Sequence, residues 1–136
     1  MTGRTDMRQT KIMFLTPEGS WSVATPFLDQ VVPAMINAVG ASFHVRPISS
    51  ALHAVLADYP TGAPPNPYLH RLASMFNAHQ DMPFWGSCVL TGGFRATIQS
   101  GQGWTMPDEW VLPISDVLIS RVTGVVAQLR MEATGG

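Results

Sequence analysis

The sequence predicts one α+β domain in which about three helices pack in two layers on a mostly antiparallel sheet of four or five strands. Short segments alternate between apolar and polar residues as half-buried strands do, and three longer segments repeat apolar residues at helical spacing. The chain has 136 residues and 46% hydrophobic positions, enough for a single core. We expect the domain to span residues 11–132, between flexible tails at residues 1–10 and 133–136.

The chain opens with two segments that are predicted as strands, at residues 11–15 and 21–24. A turn cluster of proline, glycine and serine at residues 17–20 separates them. Such residues reverse the chain, so a β-hairpin is predicted here.

A helix is predicted next, at residues 26–39, where apolar residues recur on one face. Pro33 lies within it and removes a backbone hydrogen bond, so we expect either a kink at Pro33 or a helix that begins there. Residues 42–48 then alternate as a strand. Residues 51–57 are expected to form two helical turns.

The second half begins with a proline-rich loop at residues 59–67, where regular structure is disfavoured. Helical spacing resumes at residues 68–78. Residues 83–91 alternate as a strand, and a pair of glycines turns them towards a further strand at residues 94–99, which predicts a second hairpin. A final amphipathic helix is expected at about residues 114–131.

Composition excludes several classes of function. The formal net charge is −1 and only 12% of positions are charged, so the basic surface of a nucleic-acid-binding protein is absent. No apolar run approaches the ~18 residues of a membrane span. The single cysteine, Cys88, forms no intrachain disulfide, which fits the cytoplasm. A surface with so few charges favours association, so we expect a homo-oligomer.

An anion-binding patch is the first candidate site. Alternation places His44 and Arg46 on the polar side of one predicted strand, and Arg95 lies in the later predicted hairpin. Arginine offers a planar fork of donors and histidine a titratable donor, which suits a small anionic ligand. The alternative is a solvated sheet face with isolated charges.

A second candidate is an interaction surface formed by Trp104, Met106 and Trp110 in one loop. Tryptophan and methionine are common at binding surfaces. The alternative is that these side chains pack into the end of the hydrophobic core.

The hypothesis that the protein is an enzyme depends on three other residues. His79 and Asp81 lie close together but complete no recognisable metal-ligand set. Cys88 could serve as a nucleophile, although it shares its strand face with Phe84 and Leu90 and is therefore expected to be a small core residue. We expect no catalytic residue, cofactor or metal site.

Several short motifs follow one another along the chain, namely Val39-Gly40, Phe43-His44-Val45, Asn66-Pro67 and Gly86-Ser87-Cys88-Val89-Leu90. Their order resembles an uncharacterised family of small proteins encoded by phages and plasmids. Ala41 stands where the family has a second glycine, and His44 where it has an acid. The resemblance covers residues 11–92 and implies an accessory protein of a mobile element, with no activity to carry over.

These observations predict a non-enzymatic binding protein of a phage or mobile element that engages a protein partner or a small anionic ligand. A structural component of a virion or another assembly is the first alternative. A small enzyme that uses His79 and Asp81, or Cys88, is the second.

Overall fold

One antiparallel sheet organises the protein. The computed structural model describes residues 8–59, 61–76, 84–92 and 111–134. Within these ranges the strands are β1 (Ile12–Leu15), β2 (Trp21–Ala24), β3 (Phe43–Ser49), β4 (Leu52–Ala57) and β5 (Cys88–Thr91). They lie in the order β2-β1-β5-β4-β3, and every neighbouring pair is antiparallel. Two hairpins, β1–β2 and β3–β4, therefore flank the central strand β5.

Three α-helices complete the described part of the chain. They are α1 (Val31–Val39), α2 (Pro67–Met75) and α3 (Asp116–Thr134). A short 3-10 helix, Leu28–Gln30, leads into α1. Pro33 is therefore the third residue of α1, in the first turn, where backbone N–H groups have no partner within the helix and proline costs little. None of these helices combines the length and hydropathy that crossing a membrane requires.

The core lies on both faces of the sheet. All four residues of β5 are buried. Cys88 and Leu90 pack beneath α2 and α3, and Met13 of β1 joins them. Val89 points to the opposite face, where it packs with Met35 of α1. We call these the α2–α3 face and the α1 face. The α2–α3 face has the predicted layering of helices on a sheet, and the structure adds α1 on the other side.

The predicted fold class is confirmed. The described residues form one five-stranded antiparallel sheet and three helices of an α+β protein. The first hairpin is also as predicted, because β1 and β2 pair from Ile12↔Ala24 to Leu15↔Trp21. The intervening turn includes Gly19, whose φ of 90° favours glycine.

The helical turns expected at residues 51–57 are wrong, since this segment is the strand β4. Leu52, Ala54 and Leu56 are buried on the α2–α3 face, and Val55 is buried on the α1 face. A strand that is buried on both sides has no apolar–polar alternation, so its sequence also fits a helix.

Only one strand of the second predicted hairpin lies within the described residues. The segment predicted as a strand at residues 83–91 contains β5, which pairs with β1 on one edge and with β4 on the other. The strand expected at residues 94–99 lies outside the described ranges.

Residues just before β1 also make specific contacts. Gln9 forms an antiparallel bridge with Phe27. The buried Thr10 donates its hydroxyl hydrogen bond to the carbonyl oxygen of Val111 at 3.2 Å. Part of the segment that the sequence assigns to a tail is thus in contact with the domain.

Candidate functional site

His44 and Arg46 lie on one face of the edge strand β3. Their partners on β4 are Leu56 and Ala54, which belong to the core of the α2–α3 face. The two polar side chains therefore extend the α2–α3 face beyond its apolar centre, beside α2.

The guanidinium group of Arg46 stacks on an aromatic ring. Its Cζ atom lies 4.0 Å from the centroid of the Phe84 ring, and Phe84 is itself buried. A cation over an aromatic face is attracted by the quadrupole of the ring. Burial lowers the pKa of Arg46, but a guanidinium keeps its proton at neutral pH. The stack therefore holds a positive charge at a defined place.

His70 of α2 is the second polar group next to the Phe84 ring. Its Nε2 accepts a hydrogen bond from the backbone N–H of Phe84 at 3.0 Å, and the two rings meet edge to face. Because Nε2 is an acceptor, the proton of the neutral ring is on Nδ1. Burial and then the charge of Arg46 lower the pKa of His70. At neutral pH the ring is therefore uncharged and Nδ1–H is a donor.

His44 is paired with a carboxylate. Its Nδ1 lies 2.8 Å from Oδ1 of Asp58, while the Ser42 hydroxyl donates to Oδ2 of the same carboxylate at 2.6 Å. The hydrogen bond from Ser42 is the main cause that lowers the pKa of Asp58, and His44 adds to it against the effect of burial. These contacts tie the start of β3 to the end of β4. His44 is thus already engaged by Asp58 and is less available to a ligand than the sequence suggested.

Asn66 holds the backbone beneath the Arg46–Phe84 stack. It is fully buried and caps α2, since its Oδ1 accepts a hydrogen bond from the N–H of Leu69 at 3.1 Å. Its Nδ2 donates to the carbonyl oxygen of Gly86 at 3.0 Å, and its N–H donates to that of Phe84 at 2.9 Å. One side chain therefore joins the start of α2 to residues 84–86.

Sequence reasoning found His44 and Arg46 but missed the groups that hold Arg46 in place. Asparagine followed by proline ahead of an apolar helix is an N-cap signature, so Asn66 could have been found. His70 and Phe84 had no such signal, because their contacts with each other and with Arg46 join distant parts of the chain.

Cys88 has the environment of a core residue. It is buried in the cluster that contains Phe84 and Leu90, as predicted, and burial raises the pKa of its thiol to about 12. A thiol with this pKa supplies almost no thiolate at neutral pH. The described residues include no group of three or more histidines, cysteines and acids that could hold a metal ion.

The remaining predicted site residues lie outside the described ranges. They are Arg95 of the anion patch, Trp104, Met106 and Trp110 of the interaction surface, and His79 and Asp81 of the enzyme hypothesis.

Comparison with known proteins adds no information about function. No family model, curated protein or solved structure matches the chain significantly.

Proposed function

We propose that this protein is a non-enzymatic binding protein that takes a small anionic ligand at the Arg46 site, which consists of Arg46, His70 and Phe84. The observation that supports it most is the stack of the Arg46 guanidinium on the buried Phe84 ring at 4.0 Å. The ligand class is a small molecule that carries a carboxylate or a phosphate group.

The chemistry of the site suits such a ligand. A guanidinium presents parallel N–H donors that match a carboxylate or a phosphate in a two-point contact. Stacking on Phe84 leaves Arg46 few alternative rotamers, so less side-chain entropy is lost when a ligand binds. His70 adds one neutral hydrogen-bond donor, Nδ1–H. It lies on α2, which packs against β3, the strand that carries Arg46.

The pair of His44 and Asp58 limits where the ligand binds. An anion next to His44 would also face the Asp58 carboxylate, and like charges repel. We therefore place the ligand towards Arg46 and His70, and we assign to His44 the role of orienting the start of β3.

Calorimetric titration with inorganic phosphate and with succinate tests this proposal, after native mass spectrometry of the purified protein for a bound ligand. Arg46→Gln removes a charge-assisted contact worth about 1.5–3 kcal/mol. Binding should weaken about 10- to 150-fold. Arg121→Gln is the matched control, since Arg121 also lies over a ring, that of Phe76, at 5.9 Å.

The proposal requires the control to bind as the wild type does. Equal affinities of the wild type and Arg46→Gln, with Arg46→Gln folded, would eliminate the Arg46 site. An equal loss in both variants would show that overall charge, and not this site, governs binding. Binding of an acidic protein instead of either small anion would assign the site to a protein partner.

A structural component of an assembly is the second candidate function. It is favoured by large apolar side chains that are exposed among the described residues, notably Trp21 at 47%, Val23 at 39% and Val117 at 71%. Exposed apolar surface commonly marks contacts between proteins. A setting in a phage or mobile element, and a cytoplasmic location, stay predictions from the sequence.

A further inference from the structure

We infer that two copies of this chain pair through the outer edges of their β2 strands, antiparallel, in the register that sets Trp21 of each copy opposite Val23 of the other. Among the described strands β2 is the outermost at this end of the sheet, and none of them pairs with its outer edge. This inference uses no residue of the Arg46 site and does not depend on anion binding.

The backbone groups of Trp21 and Val23 point away from β1. Next to β2, the N–H of Thr16 donates to the carbonyl oxygen of Ser20, and the N–H of Thr10 donates to that of Pro26. In an antiparallel pair, residues that bond to the partner strand alternate with residues that do not. The even-numbered residues of β2 therefore bond to β1, and Trp21 and Val23 present their N–H and C=O groups at the outer edge.

Residues 20–25 carry no side chain that keeps a sheet from adding a strand. The stretch at residues 20–25 contains no charged residue and no proline. At the opposite end of the sheet, β3 carries Arg46 and Pro47 and has a register shift between Pro47 and Ser49. Charged residues, prolines and irregular register commonly prevent an edge strand from pairing with another chain. The contrast indicates that β2 is the edge that accepts another strand.

A second copy is the occupant that the side chains of β2 fit. In an antiparallel pair about a two-fold axis, residues directly opposite each other lie on the same face. If the axis passes at Ser22, Trp21 meets Val23 of the second copy, and the same contact recurs by symmetry. Aromatic and β-branched side chains form favourable cross-strand pairs. No charge on residues 20–25 repels its equivalent.

The strength of this contact follows from its length. β2 has four residues, so the pair forms few backbone hydrogen bonds and buries less than the ~1,200 Å² typical of stable complexes. We therefore expect a reversible dimer whose population rises with protein concentration in the micromolar to millimolar range.

Disulfide trapping of the full chain tests the register. Ser22→Cys places the two thiols of the dimer opposite each other at the two-fold axis. Residue 22 and its symmetry equivalent form a non-hydrogen-bonded pair, because the backbone N–H and C=O of Ser22 point towards β1 of its own chain. The Cα atoms of such a pair lie ~4.5 Å apart, within the range a disulfide spans. Ser20→Cys is the matched control, because four residues of offset put its two copies more than ~7 Å apart. Cys88 is buried in both variants.

The expected result is a covalent dimer of Ser22→Cys under mild oxidation and little or none of Ser20→Cys. Ser22→Lys sets like charges opposite each other and should weaken dimerisation at least 10-fold in sedimentation equilibrium, with unchanged circular dichroism. The inference is overturned if the wild type stays monomeric at millimolar concentration, if Ser20→Cys cross-links as readily as Ser22→Cys, or if Ser22→Lys dimerises as the wild type does.

Discussion

Replacing Asn66 by alanine should destabilise the protein more than any change of a surface polar residue. The variant loses the N-cap of α2, worth about 1 kcal/mol. It also leaves the buried carbonyl oxygen of Gly86 without the donor Nδ2 of Asn66, which costs about 1–3 kcal/mol. The sum is roughly 2–4 kcal/mol out of a total stability of about 5–15 kcal/mol, so the protein should still fold.

Urea unfolding followed by tryptophan fluorescence measures this loss. With a slope of about 2 kcal/mol per molar urea, the midpoint should fall by about 1–2 M. Asn37→Ala is the matched control, since Asn37 is exposed on α1 and should change stability by less than about 0.5 kcal/mol. If Asn66→Ala unfolds at the same urea concentration as Asn37→Ala, the assigned role of Asn66 is wrong.

Two further predictions concern titration and reactivity. The pKa of Asp58 is lowered in the folded state, so its contribution to stability is present above the ordinary carboxyl pKa and is lost as the pH falls through the folded pKa. Asp58→Asn should flatten the dependence of the unfolding free energy on pH between about pH 5 and pH 2, and parallel pH profiles would contradict this. Cys88, buried and with its pKa raised to about 12, should react with a thiol reagent at least about 100-fold more slowly in the native protein than in urea. Equal rates in the two states would show that the core opens around Cys88.

Local patterns in the sequence predicted the features that depend on neighbouring residues. The turn at residues 17–20 reverses the chain by itself, so the hairpin of β1 and β2 could be predicted. Alternation along β3 likewise placed His44 and Arg46 on one face. These features need no information about the rest of the fold.

Other features depend on contacts between distant segments. Core residues lie on both faces of β4, and His53 is its one polar residue, so residues 52–57 lack the alternation that distinguishes a strand from a helix. The position of β5 between the two hairpins depends on long-range pairing with β1 and β4. The stack of Arg46 on Phe84 has the same origin, because it joins β3 to a residue that follows α2 in the chain.

Nuclear magnetic resonance of the arginine side chains tests the proposed anion site most directly. The protein is labelled with ¹⁵N and titrated with inorganic phosphate while the Nε–H signals are recorded. The signal of Arg46 should shift and saturate, because its guanidinium is held on the Phe84 ring and contacts the anion. The signal of Arg121 should stay in place. A stationary Arg46 signal, or equal unsaturated drift of both signals, would contradict anion binding at the Arg46 site.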